Sequence, residues 1–394
     1  MEKNGLNIEG PLHPSPREYT PFLEFLSRCY GFSDPKWFEN DTPSFYGKSP
    51  DRLKTKWVLK KGSRFLSHVG VFPFVSAVEG KKLKVAGIGS VATDPAFRGQ
   101  GLMRRLMDHV GRQISRGGFD LSILWGERDL YRPYGYERGL FQSQFSFTKR
   151  LLKYSVLHKG VRPARPQDGP ALLRFYSSHP FHNMRNTEYG RGLQRRFAAS
   201  LPEPVWVLEE KGKVIAYAVV FKESPKTLAV AEWGGEGEDL ACLLATLLQK
   251  ESLENLSVSI YPGCSFYDWA CENHESRFIT THSCMIKVEN LGRVLKVFEP
   301  QLQRNWERSG MKGGRPLMLS LEGGGEVTLL PERKLRVVPG RRAVNSLPLS
   351  QSQCVRLLFG TGVSGEGLKG EGFDSRLLDS IFPLRWHWWR SDWV

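Results

Sequence analysis

The sequence predicts an α+β protein built from consecutive units of mixed helix and strand. Three observations carry that expectation. β-rich runs alternate with amphipathic helical stretches through most of the chain. The order of elements in the first unit is echoed in the second. The 394 residues, 40% apolar and 12% aromatic, suffice for two to four packed cores at roughly 100–200 residues each. This composition excludes a disordered chain, and no run approaches the ~18 apolar residues of a membrane helix. Met1 to Gly10 is polar and acid-bearing, unlike a signal peptide, so a cytoplasmic protein is expected. Cys29, Cys242, Cys264, Cys271, Cys284 and Cys354 are too scattered for a disulfide framework.

In the first unit, residues 1–150, Tyr19, Phe22, Leu23, Phe25 and Leu26 have helical spacing within Pro16 to Tyr30. Asp34 to Ser49 reads as an aromatic, Pro-containing loop. Leu66 to Ala77 and Leu83 to Ala92 are β-rich and flank Glu79-Gly80-Lys81, a hairpin signal. Met103 to Ile114 is an amphipathic helix, and Leu121 to Trp125 and Phe141 to Phe147 are strands. The second unit, 151–285, begins with a helix over Pro163 to Tyr176. Strands follow at Val205 to Glu209, Lys213 to Phe221 and Thr227 to Trp233, then a helix at Leu240 to Lys250 and a strand at Leu256 to Ile260. It carries no phosphate-loop motif. The third unit, 286–394, has a helix over Leu291 to Trp306, strands with Gly-rich turns over Pro316 to Val338, and a helix over Ser350 to Phe359. Its end holds four of the eleven tryptophans: Trp386, Trp388, Trp389 and Trp393.

The net charge of +15 is unevenly spread: +9 on the first unit, zero on the second and +6 on the third. A basic first unit attracts polyanions, whether nucleic acid, anionic lipid or a phosphorylated cofactor. Charge alone does not choose among them.

The strongest local signal is Val91-Ala92-Thr93-Asp94-Pro95-Ala96-Phe97-Arg98-Gly99-Gln100-Gly101-Leu102-Met103-Arg104. A β-run ends, Pro95 breaks it, and a basic Gly-containing loop runs straight into a helix. Backbone N–H groups then point at one spot with the helix dipole behind them, which suits a pyrophosphate. Gly99 and Gly101 let a phosphate approach the backbone closely. Here the chain resembles the GCN5-related N-acetyltransferase (GNAT) family, whose loop is Gln/Arg-x-x-Gly-x-Gly/Ala. Arg98 to Met103 matches it except at Met103, where a small residue is usual. The resemblance implies acetyl-CoA as cosubstrate, with its phosphates on Arg98, Gly99, Gln100, Gly101, Leu102, Met103 and Arg104. It implies pantetheine paired with the backbone at Val91, Ala92 and Thr93.

The second constellation is Trp125-Gly126-Glu127-Arg128-Asp129-Leu130-Tyr131-Arg132-Pro133-Tyr134-Gly135-Tyr136, directly after a strand. GNAT enzymes often carry a Tyr-x-x-Phe/Tyr-Gly-Phe/Tyr segment there, and a phenol can protonate a departing thiolate. Tyr131 is the favoured acid; Tyr134 and Tyr136 read as turn packing. Gly126 and Glu127 are counted with the cofactor site.

Over its whole length the chain is similar to Eis-type (enhanced intracellular survival) acetyltransferases. That resemblance implies tandem GNAT-like domains, the second degenerate, then a sterol-carrier-protein-like α+β domain. It also implies a hexamer, and a terminal carboxylate entering the first domain's active site: Val394 as base, Tyr131 as acid, and a small-molecule amine as acceptor. Neither nucleic acid nor membrane is an expected partner. Acids near the expected acceptor pocket are few: Asp34, Glu39 and Asp41, with Trp37 and Phe38. The alternative is a GNAT scaffold that binds an acyl-CoA, a lipid or nucleic acid without turnover.

Two further features compete for attention. Cys264, Cys271, His274, His282 and Cys284 invite a zinc reading, but the two-residue cysteine spacing of structural zinc is absent, and no metal is expected. The Trp-rich end, with Arg385 and Arg390, fits a membrane-interface anchor, a base-stacking surface or a tail buried in a cleft.

Overall fold

The computed structural model describes residues 7–148, 158–185, 192–193, 204–250, 253–273, 278–340, 345–360, 368 and 375–394. Its larger sheet begins with β1 (Glu9–Leu12), β2 (Lys56–Lys61), β3 (Arg64–Val78), β4 (Lys81–Thr93) and β5 (Leu121–Leu124). It continues with β6 (Glu137–Thr148), β7 (Val161–Pro163), β8 (Phe181–Asn183), β9 (Val205–Glu210), β10 (Lys213–Ser224), β11 (Thr227–Gly234), β12 (Asn255–Ile260) and β13 (Phe278–Val288). These thirteen strands run in the order β1-β2-β3-β4-β5-β13-β6-β12-β11-β10-β9-β7, with β8 attached to β3. A separate four-stranded sheet holds β14 (Leu317–Leu321), β15 (Gly325–Pro331), β16 (Leu335–Pro339) and β17 (Asn345–Leu349), in the order β16-β15-β14-β17.

The β3–β4 hairpin turns at Glu79 and Gly80, both at positive φ, as a tight two-residue connection requires. β4 and β5 are parallel and joined by the helix Leu102–Arg116. That helix buries Leu106, Met107, Val110 and Ile114 against Ala86 and Ile88 of β4, following its 3.6-residue spacing. The same order recurs at β11, the helix Gly237–Lys250 and β12, again parallel. The halves share one sheet: β13 lies between β5 and β6, and β6 pairs with β12. A cut at residue 150 or 285 would therefore separate strands that bond each other.

Helices Leu291–Val297, Glu299–Arg308, Gln351–Phe359 and Ser375–Ile381 accompany the small sheet. The expected single helix over Leu291 to Trp306 is two helices. Pro300 lacks an N–H and its ring clashes with the preceding turn, so the second helix starts afresh at Glu299. The helix expected from Pro163 starts only at Gly169, because Arg162 and Pro163 belong to β7 and Asp168 binds the Arg165 N–H at 2.6 Å. Strand β2 has no counterpart in the sequence analysis; its Lys56 is buried and only Lys61, at its end, is exposed.

Candidate active site

The turn after β4 is fixed by Asp94. Its carboxylate accepts from the Ala96 N–H at 3.1 Å and pairs with Arg64 at 3.0 Å and Arg28 at 3.3 Å. Gly99 and Gly101 follow with φ of +76° and +75°, where a side chain would strain the backbone. A methyl at either would meet no atom within 4 Å, so the loop faces open space. Gly101 is the N-cap of the helix and offers no side chain to its first turn, leaving those amides to an outside acceptor. Arg98, Gln100 and Arg104 are exposed around them, Met103 is half-buried, and Leu102 turns into the core. The loop thus presents open glycines and helix-start amides beside exposed Arg98 and Arg104.

β4 pairs with β5 from Val85 to Ile88 and then parts from it, continuing to Thr93 along β3 alone. A bulge marks the parting, with Ser90 at φ +51°. His68, fully buried, holds the Ser90 carbonyl at 2.7 Å. Burial pushes the His68 pKa down to about 3, so the ring is neutral and Nδ1–H is the donor. The Ala92 carbonyl accepts from Ser67 at 2.9 Å, and the Val91 carbonyl from Tyr30 at 3.0 Å. Tyr30 was missed by the sequence reading. Nothing in a helix-spaced Tyr distinguishes one that reaches across to a strand.

The chain's last residue lies on the other face of β4. Gly70 lies opposite Gly89 and Phe72 opposite Gly87, and Gly87 and Gly89 leave a trough beside Phe72 and Phe74. Val394 fills it. A methyl on Gly89 would stand 2.5 Å from the carboxyl carbon of Val394, and one on Gly87 2.9 Å from its Cγ2. A side chain at Gly89 would collide with Val394, and one at Gly87 with Phe74 at 2.8 Å as well as with Val394. Alternate glycines inside a strand were the sequence signal for this close approach.

The tail leading there is buried, which decides among its three sequence readings. Trp386, Trp388 and Trp389 are each at most 4% exposed. Trp388 packs edge-on to Phe74 at 5.1 Å, and Trp389 donates to the Phe181 carbonyl at 3.0 Å. Trp393 stacks on Trp125, at the end of β5, at 5.2 Å.

Tyr131 is buried on the helix-facing side, its ring against Gly126, where a methyl would meet it at 2.4 Å. Burial pushes its phenol up to about 12, so it stays protonated. The short turn Arg128–Tyr131 is tied to β6 by two Arg128–Glu137 bonds of 2.6 Å. Tyr136 instead spends its hydroxyl on Ser122 at 2.8 Å inside the core. Gly126 and Glu127 are exposed at the end of β5. Of the Cys/His set, Cys264 and Cys284 are buried, Cys271 is exposed and His274 lies outside the described residues. Among the described residues no group of three or more His, Cys, Asp and Glu could hold a metal.

An open strand edge, a glycine loop at a helix start and a parallel βαβ crossing now stand together. Residues 13–139 match the acetyltransferase (GNAT) domain. Beyond that segment, solved structures share the fold of nearly the whole chain. A conserved protein of unknown function from Enterococcus faecalis V583, described as a probable N-acyltransferase, has a TM-score of 0.68 at 16% identity, covering 96% of this chain and 97% of that one. A GCN5-related N-acetyltransferase from Anabaena variabilis ATCC 29413 gives 0.65 at 16% identity, covering 93% and 95%. Eis1 from Mycobacterium abscessus gives 0.62 at 13% identity, covering 96% and 97%. No curated protein matches the sequence. Among the described residues no helix is long and apolar enough to cross a membrane.

Proposed function

We propose that this protein is an acetyl-CoA-dependent N-acetyltransferase whose terminal carboxylate is the general base. The observation that carries the reading is the seating of Val394 on Gly89, on the face of β4 opposite the phosphate-loop helix. Two glycines are kept free of side chains to admit a chain end, at the point where β4 and β5 separate. In this scheme the residues Arg98 to Arg104 hold the cosubstrate's pyrophosphate, and Val91 to Thr93, beside the parting, line its pantetheine.

The two faces of β4 divide the chemistry. Val394, on the acceptor face, takes a proton from the amine, which is mostly protonated near pKa ~10 and must lose it to attack. The amine nitrogen then bonds to the acetyl carbon as the C–S bond breaks, its second surplus proton passes to solvent, and Val394 returns its own proton to solvent. Tyr131, on the helix face, supplies a proton to the departing sulfur and recovers one from solvent. The acceptor is a small-molecule amine. Residues 1–150 are the catalytic unit, 151–285 a degenerate copy, and 286–394 a sterol-carrier-like unit that delivers the tail.

The test is release of free CoA from acetyl-CoA, followed with a panel of primary amines and with none. Amine-dependent release is expected. Binding of acetyl-CoA without amine-dependent release from any amine would mark a non-catalytic acyl-CoA binder instead.

A further inference from the structure

We propose that Arg185 and Asp392 form a buried clamp through which the second unit positions the terminal carboxylate on Gly89. The proposal rests on the reading of Val394 as base, but it makes a separate claim about where the chain end is held.

Arg185 lies just beyond β8. It donates through Nε to Asp392 Oδ1 at 2.9 Å, with a second, shorter contact from its terminal nitrogen. It also donates to Glu232 on β11 at 2.8 Å and to Ser391 at 3.0 Å. Its guanidinium carbon sits 3.7 Å from the centre of the Tyr176 ring, and the Tyr176 hydroxyl donates to Asp392 Oδ2 at 2.7 Å. Ser391 bonds Glu232, and Tyr217 donates to Glu232 at 2.7 Å. Glu232 is fully buried, and the side chains of Arg185 and Asp392 are only 11% and 7% exposed.

A buried ion cluster gains little stability over apolar packing, but it can impose a register that apolar packing does not. The tail before it is held mostly by indole contacts, and hydrophobic burial is non-directional. A Trp-rich segment could therefore slide; a planar guanidinium bonded to a carboxylate, a serine and a second carboxylate cannot. The clamp is also registered to β3, whose Phe72 and Phe74 flank the trough that holds Val394. β8 pairs with β3, with Ser76 opposite Asn183, and the Met184 N–H bonds the Val75 carbonyl at 2.8 Å. Phe72 and Phe74 stand a few residues earlier on the same β3. Only Trp393 lies between Asp392 and Val394, so the two are at most ~7 Å apart along the chain. Fixing Asp392 thus confines the carboxylate, and a 1 Å misplacement can cost about 10²-fold in rate.

The experiment compares the native chain with Arg185→Met, Arg185→Lys and Asp392→Asn. Removal of Val394 by carboxypeptidase is followed by mass spectrometry, alongside kcat, the KM for acetyl-CoA and calorimetric CoA affinity. The native terminus should resist digestion. Arg185→Met should lose Val394 at least about tenfold faster, with kcat reduced by a similar factor or more and CoA affinity within about twofold. Arg185→Lys should recover part of both. If Arg185→Met fails to fold, Asp392→Asn, which keeps the side chain's shape, carries the comparison. A folded, CoA-binding variant whose Val394 is as protected as in the native chain overturns the clamp. A freed terminus with undiminished kcat upholds the clamp and overturns Val394 as base.

Discussion

The two βαβ crossings of the large sheet have the same topology and opposite surroundings. In the first, Arg98 in the loop and Arg104 and Arg105 in the first turns of the helix are basic, and the loop glycines face open space. In the second, the corresponding turn reads Gly235-Glu236-Gly237-Glu238-Asp239. Burial raises the Asp239 pKa, and Glu238, Glu210 and Glu236 push it the same way, a setting hostile to a phosphate. The helix start is also covered, since a methyl on Gly237 would stand 2.4 Å from the Ser265 carbonyl. The strand partings differ likewise. Past Val230 and Val258 the second gap is filled by Trp233, which donates to the Ser259 carbonyl at 3.0 Å while His179 holds the Trp233 carbonyl at 2.9 Å. One scaffold keeps its slot open and basic; the other has closed it with core aromatics.

Glycine substitutions break this comparison most sharply. Gly89→Ala drives a methyl into the Val394 carboxyl, and turnover should fall by roughly 10²-fold or more while CoA affinity holds. Gly234, on β11, packs against Tyr217 and Phe175, where a methyl would come within 2.7 Å of both. Gly234→Ala should therefore cost stability, read as a lower Tm, and leave kcat of the folded fraction unchanged. Equal effects of the two on kcat would erase the distinction between the units.

Tyr131→Phe should lower kcat by about 10²-fold with acetyl-CoA affinity retained. Tyr136→Phe, which loses only its bond to Ser122, should cost about 1 kcal/mol of stability and little turnover. The reverse pattern in steady-state kinetics would exchange their roles. Gly101→Val, at φ +75°, strains the phosphate loop and should weaken CoA binding by calorimetry several-fold, with the near-native fold intact. Unchanged affinity would remove the loop from the site.

The smallest expected effect is on pH dependence in the second unit. Burial pushes the Glu232 carboxyl up to about 7, against the pull of Arg185. Its folded value exceeds its unfolded one near 4.5, so the unfolded chain gives up this proton first. The Glu232 contribution is therefore favourable below pH 4.5 and is lost as pH rises from 4.5 to about 7. Glu232→Gln should flatten that part of the Tm profile between pH 5 and 7. An unaltered slope would assign the dependence to other groups.

The phosphate loop was legible because its chemistry is local. Pro95, Gly99 and Gly101 act through their own backbone angles, and the helix that follows declares itself by the spacing of Leu106, Met107 and Val110. The place of Tyr131 just after β5 was legible; its role as acid is the proposal that Tyr131→Phe tests. The tail's composition pointed to burial only as one of three readings, because four indoles serve a membrane, a base stack or a core equally well. What settles it is contact with Phe74, Trp125 and Phe181, far away in sequence. The strand exchange that sets β13 between β5 and β6 was not legible, since pairing partners more than a hundred residues apart leave no periodic trace. Nor was the Arg185–Asp392 pair: a lone Arg after a short strand looks like any surface cation. Gly87 and Gly89 were readable in principle, because alternate glycines in a strand mark a close approach, though not of what.

The most direct test is to extend the chain by one glycine after Val394 and measure amine-dependent CoA release beside calorimetric binding of CoA. The added residue moves the carboxylate off Gly89 and leaves an uncharged amide in its place, with the rest of the fold unchanged. With Val394 as base, CoA affinity should stay within about twofold and turnover should fall by roughly 10²-fold or more. An extended chain that binds CoA and turns over at the native rate would contradict the terminal carboxylate as base.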